Sequence, residues 1–106
     1  MKVTIYIPKH LATEAMRDSL VAVAGGCTAV LAEGSWYDAG TATVINEEML
    51  LVSTIIDPSD SNALSYVLVD ICTELFAQGE KVVLIESLSA IGYFKKFVTC
   101  PEEVEI

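Results

Sequence analysis

Apolar and polar residues alternate from the first positions of the chain. Val3, Ile5 and Ile7 interleave with Lys2, Thr4 and Tyr6, the period of a half-buried strand, and Pro8 stops it. Thr13 then stands where a helix N-cap is wanted, with Glu14 in the favourable first turn and Met16, Leu20 and Val23 spaced i, i+4 and i+7 along one face. Gly25-Gly26 ends that helix, because Gly reaches the left-handed conformation without a Cβ penalty. Cys27 to Ala32 is β-compatible, and Thr41 to Ile45 with Met49 to Ile56 strongly so, while Asp38-Ala39-Gly40 carries turn chemistry. A long hairpin is the expectation. Two adjacent acids, Glu47-Glu48, break an otherwise β-branched run and predict either a bulge or the point where the ribbon leaves the sheet.

Asp57-Pro58-Ser59-Asp60-Ser61 reads as a loop handing over to a second helix, with Asp60 or Ser61 as its cap. Leu64, Val67, Leu68, Ile71 and Leu75 mark one helical face, and Gly79 closes it. Val82 to Ile85 is a continuous apolar run suited to a protected strand, a last strand fits Ile91 to Val98, and Pro101-Glu102-Glu103 begins an acidic tail. The order strand, helix, strand, strand, helix, strand is the ferredoxin-like βαββαβ arrangement of the α+β class, with an extended β2–β3 hairpin and room for an extra C-terminal strand. Residues 1–98 form a single domain in this reading and 99–106 an acidic C-terminal tail. Two helices cover one face of such a sheet. Apolar side chains expected on the other face predict a homo-oligomer.

Composition narrows the function. Of 106 residues, 15 are Asp or Glu against 6 Lys or Arg, a net charge of −9, and the only run of cations is Lys95-Lys96. A nucleic-acid reader needs clustered cations to neutralise phosphates, so no nucleic-acid partner is expected. The uncharged stretch Ser19 to Ala32 is shorter than a membrane span and contains Gly25-Gly26, and Met1-Lys2 leads directly into a strand rather than a leader. No membrane partner and a cytoplasmic location are expected. Cys27, Cys72 and Cys100 are an odd count without close spacing, which supports neither a disulfide framework nor a zinc site; no metal and no cofactor are expected.

Several segments resemble the PII-like branch of ferredoxin-like proteins: Lys2-Val3 through Pro8-Lys9, Gly26-Cys27-Thr28, Glu33-Gly34-Ser35-Trp36 and Gly79-Glu80-Lys81-Val82-Val83. The same short motifs are similar to small proteins of phage and mobile elements with this fold. The resemblance implies a homotrimer packed through its sheet faces, with nucleotides or other small metabolites bound between subunits where the long hairpin meets its neighbour. It matches the family's phosphate loop only in part, at Gln78-Gly79-Glu80-Lys81, and Ile91-Gly92-Tyr93-Phe94-Lys95-Lys96 stands where the family has an arginine-rich strand.

Candidate ligand-binding residues follow from both sources. Gly34, Ser35, Trp36 and Tyr37 join an indole and a phenol to a permissive Gly, a stacking surface for a nucleobase or adenosyl group; packing over the hairpin or in a trimer contact is the competing role. Glu47 is a candidate for acid–base work or ribose recognition, or simply a solvated acid. Lys9 and Lys81, at strand ends, and Lys95 suit an anionic group at a cleft rim, or else blunt sheet edges, and Tyr93 could face a ligand or an interface. The first reading is a non-enzymatic homotrimer binding a nucleotide-like or adenosyl ligand, with sequestration of a host signalling nucleotide as its use. The alternatives are an enzyme resembling phage S-adenosylmethionine lyases, whose reaction asks for a carboxylate and a tyrosine near a sulfonium, and a PII-like protein-interaction regulator.

Overall fold

The computed structural model describes all residues from Met1 to Ile106. Strand β1 (Lys2–Pro8) is followed by a short 3-10 turn, helix α1 (Glu14–Ala24), the ribbon β2 (Thr28–Asp38) and β3 (Thr43–Ile55), helix α2 (Ser61–Ala77), and a final hairpin β4 (Val83–Ser89) and β5 (Gly92–Val98). The five strands form one sheet in the order β2-β3-β1-β4-β5, with every neighbouring pair antiparallel. That is the ferredoxin-like α+β arrangement, and the strand at Ile91–Val98 extends it by one at the β4 edge.

The core lies between the sheet and the two helices. Val3, Ile5 and Ile7 project from β1 to meet Met16 and Leu20 of α1 and Leu64, Leu68, Ile71, Cys72 and Leu75 of α2, all buried. Full burial of such side chains contributes roughly 1.5–3 kcal/mol each, which is why their spacing is so legible. Cys72 is part of this packing, and its thiol pKa is pushed up to about 11 by burial. The three cysteines are free. No helix is long and apolar enough to cross a membrane.

Local chemistry sets the helix ends. The Thr13 hydroxyl accepts from the Met16 N–H at 3.2 Å, and Gly25 takes φ +82° to end α1. At the end of α2, the Glu80 N–H reaches back to the Leu75 carbonyl and the Gly79 N–H to that of Phe76, both at 3.1 Å, around Gly79 at φ +100°. These are the paired bonds of a Schellman motif. Asp60 takes the N-cap position of α2, as expected, without a side-chain cap hydrogen bond. Asp57 caps the 3-10 turn ahead of it, accepting from the Ser59 N–H at 3.0 Å, and that turn, started at Pro58, runs directly into the helix. The segment after β5 also folds, into a 3-10 turn at Pro101–Glu103, and Val104 and Ile106 pack against the core.

The ribbon corrects one expectation. Its ladder runs from Thr28↔Ser53 to Asp38↔Thr43 in a single register, with Glu33 opposite Glu48 and Gly34 opposite Glu47, so no bulge interrupts it. The other half of the expectation holds, because β1 pairs with β3 only from Lys2↔Ile55 to Pro8↔Met49. Beyond Met49 the ribbon projects alone, and Glu47-Glu48 sits at that departure.

Candidate functional site

Strand alternation defines two faces. Val3, Ile5 and Ile7 face the helices, so Lys2, Thr4 and Tyr6 face outward, and the register carries this parity across the sheet. Val30 of β2, Leu51 and Ser53 of β3, Glu86 and Leu88 of β4, and Tyr93, Lys95 and Phe97 of β5 share the outward face. Val30, Trp36, Ile55, Leu88, Tyr93 and Phe97 are each more than half exposed there. A hollow of about 350 Å³ opens on this face, with Tyr6, Glu86 and Tyr93 on one side and Val30 and Leu51 on the other.

Glu86 is the polar centre of this hollow. In register it stands between Thr4 of β1 and Lys95 of β5. The Tyr93 hydroxyl, from two residue pairs along the β4–β5 ladder, donates a hydrogen bond to its carboxylate. Hydrogen bonding from Tyr6, then from Tyr93, and the charge of Lys95 hold the Glu86 carboxyl below the usual glutamate range. Reciprocally, the Tyr6 hydroxyl is pushed up to about 12, first by its hydrogen bond to Glu86 and then by burial, and Tyr93 moves upward for the same first reason. Beside them Thr4 Oγ1 and Ser53 Oγ are bonded to each other at 2.8 Å. The hollow therefore presents an ionised carboxylate braced by two phenols, a hydroxyl pair and apolar walls. Such a set of groups is chemically complementary to positive charge.

The residues singled out from sequence fall into separate places. Tyr93 lines the hollow. Lys95 stands on the same face beside Glu86 in register, outside the lining, with its Nζ 5.9 Å from the Phe97 ring centroid. Gly34, Trp36 and Glu47 share the outward face but stand on the projecting part of the ribbon, while Ser35 and Tyr37 lie on its reverse side, where Ser35 donates to Asn46 Oδ1 at 2.7 Å. All five flanking residues Glu33 to Tyr37 are strand residues paired with Val44 to Glu48. Lys9 forms an exposed ion pair with Glu48 at 3.4 Å, tying the 3-10 turn to the ribbon base. Near it, burial first and then the charge of Glu47 raise the pKa of Glu80, with His10 opposing. Lys81 is exposed in the loop ahead of β4. The phosphate-loop reading of residues 78–81 fails, because the N–H groups of Gly79 and Glu80 are committed to the end of α2. No group of three or more His, Cys, Asp or Glu side chains is placed to hold a metal.

Sequence reasoning missed Tyr6 and Glu86. The signal for Tyr6 was present in the alternation that made Val3, Ile5 and Ile7 core residues, since an aromatic on the opposite face of a central strand needs a reason to be there. Glu86 stood at a strand end, a place where chemistry often sits, but nothing along the chain gave it partners: Tyr6, Glu86 and Tyr93 come from three strands, and only the register unites them.

A ferredoxin-like sheet, covered by helices on one face and bearing a tyrosine-braced carboxylate on the other, is the class that fold and hollow define. Within that class, the structure is similar to a phage SAM lyase in complex with S-methyl-5'-thioadenosine, with a TM-score of 0.61 over 92% of this chain and 88% of that one at 8% identity. The apo phage SAM lyase gives 0.57 at 10% identity over the same shares. A Bacillus cereus protein related to NIF3 gives 0.58 at 15% identity; the alignment takes in 92% of this chain and 25% of that larger one. At these identities the likeness is one of fold. None of the three is described as PII-like. No protein-family model matches the chain, and no curated protein sequence matches it.

Proposed function

We propose that the protein binds an adenosyl compound carrying positive charge, an adenosyl sulfonium, in the outward hollow, and that it does so as a homotrimer whose subunits cover one another's open faces. The observation that carries this reading is the ionised Glu86 between Tyr6 and Tyr93, on a sheet with the fold of a protein crystallised with S-methyl-5'-thioadenosine. Carboxylate and aromatic rings together suit a sulfonium, whose charge is diffuse and poorly hydrated. The net charge of −9 favours a cationic ligand over a polyphosphate, and the outward face carries few cations to offset phosphate charge. The row of exposed apolar side chains supports self-association, as such patches do on other domains. The trimeric stoichiometry, and the use of Trp36 on the ribbon to stack over a neighbour's ligand, rest on the PII-like motifs.

Binding without turnover is the first form of this reading. Proton abstraction calls for a carboxylate whose pKa is tuned toward neutrality, and Glu86 is held on the other side of the usual range. The second form, a SAM lyase-like enzyme, draws on the same two tyrosines beside a carboxylate. Calorimetric titration with S-adenosylmethionine, alongside chromatography for released S-methyl-5'-thioadenosine, separates the two. Binding weakened about tenfold or more by Glu86→Gln is expected, since a charge-assisted contact is lost. Stoichiometric release of intact ligand supports the binder, and accumulating thioadenosine supports the enzyme. No heat and no retained mass at millimolar ligand would overturn both forms.

A further inference from the structure

The hollow that holds Glu86 also holds an opposite charge, which the adenosyl reading leaves without a role. Lys2 lies on the same face, in register with Leu88, two positions along β4 from Glu86, and its side chain forms part of the same wall. The two charges are not paired with each other, for the one ion pair of the structure joins Lys9 to Glu48. Between their positions on the face stands Thr4, whose hydroxyl is bonded to that of Ser53. The root of Lys2 is firmly held: its backbone pairs with Ile55 on one side and Leu88 on the other, and the neighbouring Met1 ammonium donates to the Ile56 carbonyl at 3.0 Å. A flexible stem thus carries an ammonium from a fixed base into a hollow whose other charge is a carboxylate. An anion and a cation that share one hollow without pairing form the complement of a zwitterion.

We infer that Lys2 recognises the carboxylate of an amino-acid arm on the ligand, so that the site selects an adenosyl amino acid over adenosyl compounds that lack the carboxylate. The inference rests on the adenosyl reading proposed above and adds to it the part of the ligand that decides selectivity. Glu86 takes the positive end and Lys2 the negative one. Lys suits this task as a compact charge with three rotatable donors, which does not demand one approach angle. In a chain of net charge −9 a local cation also removes the repulsion that a carboxylate would otherwise meet.

The test compares three probes by calorimetric titration of the full chain: S-adenosylmethionine, its decarboxylated analogue, and S-methyl-5'-thioadenosine. Wild type is expected to prefer S-adenosylmethionine to the decarboxylated analogue by about tenfold or more, the loss of one charge-assisted contact. Lys2→Met should erase that preference while leaving the affinity for the analogue in place, and Lys2→Arg should restore it. Lys2 is exposed, and retained analogue binding by Lys2→Met reports an intact fold. Wild type that binds both sulfonium compounds equally, or Lys2→Met that keeps the preference, overturns the inference and leaves the adenosyl reading standing. Wild type that binds none of the three overturns the reading itself and the inference with it.

Discussion

At the scale of the residue, Glu86 governs its neighbours through shared protons. Its own carboxyl is held below the usual range while Tyr6 is pushed from 10.0 up to about 12, so the favoured microstate is one carboxylate with neutral phenols. The signs of the two linkages are opposite. A raised tyrosine pKa contributes stability that is complete below about pH 10 and is lost as pH rises toward about 12. A lowered glutamate pKa contributes stability above the ordinary glutamate range that is lost as pH falls through the lowered value. Ultraviolet titration of tyrosinate tests the first: the difference between Glu86→Gln and wild type should show two phenols, Tyr6 and Tyr93, moving back toward the ordinary tyrosine range. A flat difference between pH 10 and 12 would count against the arrangement. Tyr93 was legible as a candidate from sequence, yet its partners were not, because a site assembled from positions 6, 86 and 93 has no spacing along the chain to betray it.

At the scale of the element, periodicity and punctuation were the readable signals. Burial of one stripe gave α1 and α2 their repeating apolar positions, and Gly25 and Gly79 stood at their ends because both ends need a positive φ. Gly79→Ala is therefore expected to lower stability by about 1 kcal/mol, the cost of a side chain in the left-handed region. A urea titration should show a lower midpoint at unchanged slope; an unchanged midpoint would mean that the Schellman turn adapts. The ribbon was harder to read. Glu47 and Glu48 look like an interruption in one dimension, but successive strand residues point to opposite faces, and beyond Met49 both faces of the ribbon are open to water. A charge at such a position carries no penalty and so marks no break. The N-cap position of α2 was legible at Asp60, but the cap hydrogen bond was not: Asp57 makes it one turn earlier, at the 3-10 turn that Pro58 starts.

At the scale of the molecule, the open face and the acidic surface pull in different directions: one favours association, the other keeps copies apart. Association through the outward face gives a direct prediction. Ile55 lies on that face and is 74% exposed in the single chain, so Ile55→Arg should leave the thermal midpoint of the isolated subunit nearly unchanged while shifting the native mass spectrum from oligomer to monomer. An oligomer that survives this change would place the contact elsewhere, with the ribbon the next surface to examine. The order of strands has a further consequence, in time rather than in space. β1 is the central strand, and it is synthesised before the other four strands of the sheet; its partners are β3 on one side and β4 on the other. A chain emerging from a ribosome must therefore hold Val3, Ile5 and Ile7 unpartnered through the synthesis of some fifty residues before β3 arrives, and longer before β4 closes the second edge. Such non-local pairing slows folding, whereas the β2–β3 and β4–β5 hairpins can form as soon as their own turns are complete. During that interval β1 depends on whatever holds nascent chains apart.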